Sequence, residues 1–262
     1  CTTSGTARVT YASGASRVAA RGVPLPPGTR VCTEEASYAT VCLARSDRGF
    51  EHDTITLFPV TCLQVDAVRH GPDRRTEVSL STGDVTVLAK SPAAQGDIRV
   101  RVGDVVSRGD QGSFRVHHQV DGGVTEALDE AATIDGPAGT IQVPPGVGVR
   151  VDPAGAETAR APLLGGPALV QPGDGAVLRR PDFTWTPTDS AAGYEVQLAV
   201  TPDFAEIVGT QRVADATWLA PRLFVPYRVA GLWWRVVPFD RLGFKGLPSG
   251  ARELAFPAGV GP

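Results

Sequence analysis

Methionine is missing from all 262 residues. Translation starts on methionine, so the sequence is expected to be a trimmed or processed product that begins on Cys1. Net charge is also nearly missing: 25 basic against 28 acidic side chains leave −3. Such a balance gives no electrostatic drive toward nucleic acid or an anionic membrane surface. No run of about twenty apolar residues occurs, so no helical membrane span is expected. No C-x-x-C pair occurs, which removes the usual zinc and thioredoxin patterns. G-x-S-x-G and the P-loop are absent too. "GVGVRV" lacks the last glycine of a dinucleotide fingerprint and the helix that should follow it.

What is present builds cores and turns. Hydrophobic residues make up 42% of the chain, and 262 residues suit one large or two ordinary domains. Thirty glycines and 22 prolines favour many turns over long helices. Period-two alternation recurs along the chain. "DIRVRVGD" sets Ile98, Val100 and Val102 against Arg99 and Arg101. "FRVHHQV" sets Phe114, Val116, His118 and Val120 against Arg115, His117 and Gln119. "GYEVQLAV" puts Tyr194, Val196, Leu198 and Val200 on one face. Alternation of this kind marks half-buried strands of a layered all-β fold.

"TEALDEAATI" at 125–134 is the best helix candidate. Because it lies between the turn signals "DGG" and "DGPAG", it is expected to be a strand. "RVTYASGASRV" and "EVSLSTGDVTV" share a β-turn-β pattern with Gly14 and Gly83 at the turns, as two stacked copies of one β unit would. Residues 158–176 are rich in Pro, Gly and Ala and lack alternation, as linkers do, and all four tryptophans (Trp185, Trp218, Trp233, Trp234) lie beyond them.

The four cysteines, Cys1, Cys32, Cys42 and Cys62, all fall in the first quarter of the chain. This clustering suits an oxidising compartment in which one short region is stapled. Four cysteines allow two bridges; if Cys1 is acylated instead, one bridge and one spare thiol remain. Cys42–Cys62 on a shared outer face and Cys32–Cys42 across a hairpin are both plausible pairings. The start "CTTSG" resembles that of a mature bacterial lipoprotein, cut before the cysteine that carries the lipid. Thr2 in the next position resembles the outer-membrane class. The alternative is an arbitrary boundary that falls on Cys1.

Two further resemblances cover most of the chain. "LPPGTRVCT", "SYATVCLA" and "LFPVTCLQV" over 25–65, then "LSTGDVTV", "IRVRVGDVVSRGDQGSFRV" and "IQVPPGVGVRVD", resemble the FecR family of bacterial envelope proteins. The family's "RGTxF" is expanded here to "RGDQGSF". "PDFTWTPTDSAAGYEVQLAVTPDF" and "LWWRVVPFDRLGFKGLPS" resemble a bacterial fibronectin type III-like domain, whose aromatic centre would be Trp185, Tyr194 and Trp234. Tandems of this kind imply binding or assembly in the envelope rather than catalysis.

Candidates for chemistry are few. His117 and His118 are adjacent in a strand, point to opposite faces and cannot chelate one ion together. His118 falls on the apolar face and is expected to be a neutral, hydrogen-bonded core histidine. "FEHDT" gathers Glu51, His52 and Asp53, where a solvated turn is favoured over a weak cation site. "RGD" at Arg108–Asp110 is short enough to arise by chance. "RHGPDRR" concentrates Arg69, Arg74 and Arg75 in an expected exposed loop that could meet a phosphate or acidic polysaccharide.

The expectation is an all-β, exported, non-enzymatic protein with no cofactor and no metal site. A tether (1–6) leads into a FecR-like β domain (7–157) of two stacked β units. A linker (158–176) then joins it to a fibronectin type III-like β-sandwich (177–262). Cys1 is the expected lipidation site, and Cys32, Cys42 and Cys62 are the disulfide candidates. The chain would be anchored at the outer membrane, periplasmic or on the cell surface. It would bind envelope or surface proteins, peptidoglycan or polysaccharide, and would meet the membrane only through its lipid. The alternatives are a self-assembling subunit of a surface filament or appendage and a periplasmic signal-transduction domain.

Overall fold

One side chain in and the next out is the burial pattern of strands such as Arg75–Thr82, Asp84–Ala89 and Asp97–Val102 in the computed structural model. It describes residues 2–43, 53–69, 75–90, 97–177, 182–220 and 231–255. All regular elements among them are β-strands, and none is a helix long and apolar enough to cross a membrane. The chain divides into two units, Cys1–Pro162 and Leu163–Pro262.

The first unit is two sheets facing one core. Eight strands form one sheet, edge to edge: β1 (Thr2–Ser4), β5 (Tyr38–Leu43), β6 (Asp53–Leu57), β9 (Asp84–Ala89), β12 (Gly112–Gln119), β13 (Gly122–Ala127), β16 (Val147–Val151) and β17 (Glu157–Pro162). Nine form the other: β15 (Gly139–Val143), β14 (Ala132–Gly136), β11 (Val105–Gly109), β10 (Asp97–Val102), β8 (Arg75–Thr82), β7 (Cys62–Arg69), β4 (Arg30–Thr33), β2 (Ala7–Thr10) and β3 (Ser16–Val18). After β4 the chain lays pairs of strands alternately in the two sheets, with β9 as a single strand between two pairs. β8 and β10 therefore become neighbours and run parallel. Ile98, Val100 and Val102 of β10 face Val85 and Val87 of β9 and Phe114 and Val116 of β12 in one buried cluster. Removing this apolar surface from water is the main force holding the sheets together.

Gly83 shows how tightly a crossing between the sheets is made. It has φ +85°, and a Cβ there would come within 2.2 Å of Thr61 Oγ1 and 2.6 Å of Thr61 Cα. Thr61 Oγ1 in turn accepts from the Asp84 amide at 3.0 Å and so orients the start of β9. Gly83→Ala is expected to cost about 2–3 kcal/mol, from the left-handed backbone and the clash together. Urea unfolding measures it; a loss below about 0.5 kcal/mol would mean the crossing is looser than drawn.

The second unit has a three-stranded sheet of β18 (Leu169–Gln171), β20 (Asp182–Trp185) and β23 (Thr217–Leu219). Its second sheet, again edge to edge, is β19 (Ala176–Val177), β25 (Arg252–Ala255), β24 (Gly231–Phe239), β21 (Gly193–Ala199) and β22 (Ile207–Val213). Aromatic rings fill the space between them. Phe183 stacks on Trp218 and meets Trp234 edge-on, both at 5.0 Å between centroids, and Trp185 meets Tyr194 edge-on at 5.4 Å. Such pairs add to their burial through ring quadrupoles.

Four sequence expectations change. The tether is not free, because Thr2–Ser4 pairs with Tyr38–Thr40 of β5. Within the expected linker, 158–162 belongs to β17, and β18 and part of β19 follow. Edge strands are bonded on one side and half exposed, so they need no apolar alternation to form. "TEALDEAATI" is not one strand: β13 ends at Ala127, β14 starts at Ala132, and the two lie in different sheets. The internal echo breaks as well. β2 and β3 make a hairpin around Gly14, whereas β8 and β9 separate into different sheets at Gly83.

Candidate functional site

The outward side chains of β12, Arg115 and His117, should meet water by alternation. They do not. The register sets Asp84 of β9 opposite His117 and Glu126 of β13 opposite Arg115. Arg115, His117 and Glu126 are 4%, 8% and 0% exposed. Arg115 Nη1 donates to Glu126 Oε2 at 2.8 Å, and His117 Nδ1 donates to Asp84 Oδ1 at 2.9 Å. His117 Nε2 lies 3.2 Å from the same Glu126 oxygen, an ionic contact.

Burial works against a charged imidazole here. The Glu126 charge and the Asp84 hydrogen bond outweigh it and raise the His117 pKa to about 9. Burial likewise works against the Glu126 carboxylate, and His117 with Arg115 outweighs it, so its pKa falls. Two cations and two anions therefore neutralise one another. A protonated imidazole held between carboxylates has no lone pair with which to take a proton from a substrate, so His117 is not poised as a general base near neutral pH.

The second unit closes its charges in the same manner. Glu195 of β21 accepts from Gln197 Nε2 at 2.8 Å and lies 3.0 Å from Lys245 Nζ. Burial would raise its pKa, but Lys245, Gln197 and the more distant Arg212 bring it down to about 2. Gln197 Oε1 accepts from Arg235 Nε at 2.8 Å, and the Arg235 guanidinium sits 4.0 Å over the Phe204 ring.

The expected site residues are placed as follows. His117, not His118, is the buried histidine, because the face of Arg115 and His117 is covered at this point. His118 is half-buried, and Val120 is fully exposed beyond the end of β12. Cys32 is bonded to Cys62, a pairing that differs from both expected ones. β4 and β7 are adjacent with these two residues in register, while β5, which carries Cys42, lies in the other sheet. Cys42 is also oxidised, and Cys1 lies outside the described residues. Glu51 and His52 lie outside them too. Asp53 is buried in β6, where it accepts from the Lys90 amide at 2.8 Å, and is not in a solvated turn. In the Arg-Gly-Asp tripeptide, Arg108 lies in β11 and is held by Asp135 at 2.7 Å. His70 and Arg74 lie outside the described residues, Arg69 is exposed, and Arg75 pairs with Asp97 at 3.3 Å. Among the described residues no group of three or more His, Cys, Asp or Glu is arranged to hold a metal ion.

One feature went unnoticed in the sequence. Residues 1–33 contain Arg8, Arg17, Arg21 and Arg30 and not one acidic residue, in a chain whose net charge is negative. The fold gathers these arginines at one end of the nine-stranded sheet, where all four are exposed. A count of charge by segment would have found it.

No known family pattern matches the chain, and no curated protein matches it. Among solved structures it is similar to two crystal structures of a candidate anti-sigma factor from Parabacteroides distasonis ATCC 8503. Sequence identity is 13% and 14%, and the TM-scores are 0.39 and 0.40. Each match covers 51% of this chain and 59% of the other. At this distance the likeness assigns no function.

Proposed function

We propose that the chain is a non-catalytic cell-envelope module that binds protein partners along its sheet edges. The carrying observation is that the buried charges around Glu126 and Glu195 are closed on one another in compensated clusters, while strands such as β3 and β23 end their sheets among the described residues. A fold built this way offers backbone and side chains at its sheet edges for docking, while the two buried ion clusters are already engaged. The Cys32–Cys62 bridge supports an oxidising, extracytoplasmic location. A FecR-like first unit remains part of this proposal on the sequence pattern over 25–65. A fibronectin type III-like second unit is supported by three strands facing five over an aromatic core. Relay of receptor occupancy, the second reading, is favoured by the same FecR-like pattern.

Photo-crosslinking residues placed at Val18 of β3 and Leu219 of β23, 59% and 71% exposed, test the binding reading in native cells. Discrete adducts with another protein are expected from at least one position. Adducts only at multiples of this chain's own mass, or none from either position, would overturn it.

A further inference from the structure

We infer that the free edge of β3 receives an extended, acidic segment of a partner protein as an added strand. This rests on the edge-binding reading and names the partner's chemistry. β3 is the last strand of its sheet, and Ser16, Arg17 and Val18 are all exposed. The hairpin bonds join Tyr11 to Ala15 and Ala7 to Ala19. With Arg8 opposite Val18 and Thr10 opposite Ser16, those two pairs are the non-bonded ones of an antiparallel ladder. The amides and carbonyls of Ser16 and Val18 therefore point away from β2, toward the open edge, and have no partner among the described residues. They form the row of donors and acceptors that strand addition requires.

Charge selects the occupant. Arg8 projects from the outer face of β2, diagonally next to Arg30 of β4, while Arg17 faces the other way and lies over the Tyr11 ring at 5.3 Å. Arg21 follows in the next turn. No carboxylate among the described residues makes an ion pair with any of the four. Edge arginines deter pairing with another basic edge, so two copies of this chain meeting at β3 would set four cations against four. An incoming strand with carboxylates along one face meets complementary charge there from Arg8 and Arg30. The 59% exposed Val18, on the same face as Arg8, adds an apolar contact beside the charges.

The probe is a capped eight-residue peptide of alternating Glu and Val, titrated by calorimetry against the full oxidised chain. Binding is expected, weakening about tenfold or more when salt is raised from roughly 50 to 500 mM. Methylating the peptide's backbone nitrogens, on its valines or separately on its glutamates, is expected to weaken one of the two versions at least about tenfold. Val18→Pro removes the outward amide without touching a hairpin bond, and Arg21→Glu reverses one exposed charge. Each is expected to reduce binding at least about fivefold with an unchanged melting temperature. The inference is overturned if the peptide does not bind, or if both methylated versions bind as well as the parent. It also fails if polygalacturonate competes at equal charge concentration as strongly as the peptide, which would make the patch a polyanion site. A crosslinked protein partner at Leu219 together with any of these failures would leave the binding reading standing and sink this inference alone.

Discussion

Replacing Glu126 with Gln is expected to cost the first unit about 3–5 kcal/mol at pH 6, the largest effect of any single substitution considered. The side chain is fully buried and keeps nearly the same shape, so the loss is electrostatic. Arg115 and the protonated His117 would share a buried site with only Asp84 to balance them. An uncompensated buried charge costs far more than an exposed pair contributes. Replacing Arg115, His117 and Glu126 together with leucine is expected to cost much less than the single change, because no charge is then left alone.

The pH dependence separates this from loss of shape. His117 titrates near 9 in the folded chain and near 6.5 when unfolded. Its contribution is therefore fully present below pH 6.5 and disappears as pH rises through 9, a difference on the order of 3 kcal/mol. In Glu126→Gln the imidazole can shed its proton, so the penalty should shrink between pH 6 and pH 10. Calorimetric melts of wild type and variant at both pH values measure it. A penalty equal at the two pH values, or below about 1 kcal/mol at pH 6, would show that the ion cluster is not what holds this face. Tryptophan fluorescence gives an internal control, since all four tryptophans lie in the second unit.

Removing the Cys32–Cys62 bridge by changing both residues to serine is expected to destabilise the first unit by about 3–4 kcal/mol, lowering its melting temperature by roughly 10 °C. The two cysteines are 30 residues apart. Between them the chain leaves the nine-stranded sheet, builds β5 and β6 in the opposite sheet and returns. Tying the ends of that excursion removes loop-closure entropy from the unfolded chain, and 30 residues place the effect near the upper part of the usual range. Loss of less than about 1 kcal/mol would mean that β4 and β7 already hold each other in the unfolded ensemble. The double substitution isolates this bridge; a reductant would not, because Cys42 is oxidised as well.

Legibility followed the physics of each residue. Strands packed on the core were plain because a half-buried strand must alternate, as β10 does. The edge strands β1 and β17 were hidden, since a strand paired on one side and open on the other has little burial to organise its sequence. Arg115 and His117 were assigned to the right face of β12, but nothing local tells that this face is covered or that Asp84 and Glu126 arrive opposite. His118 was misassigned because β12 ends one residue later, so the alternation no longer points into the core.

By itself the sequence determined the all-β class and the crowding of tryptophan in the second unit. It also set the arginine-only charge of the first 33 residues. Those follow from side-chain type and period-two spacing, which act within a few residues. Only the tertiary structure decided that Cys32 meets Cys62, that His117 is caged by two carboxylates, and that the basic segment forms an open sheet edge. Each of these depends on which distant strand lies alongside and in what register, and a one-residue slip would turn every one of those side chains to the opposite face.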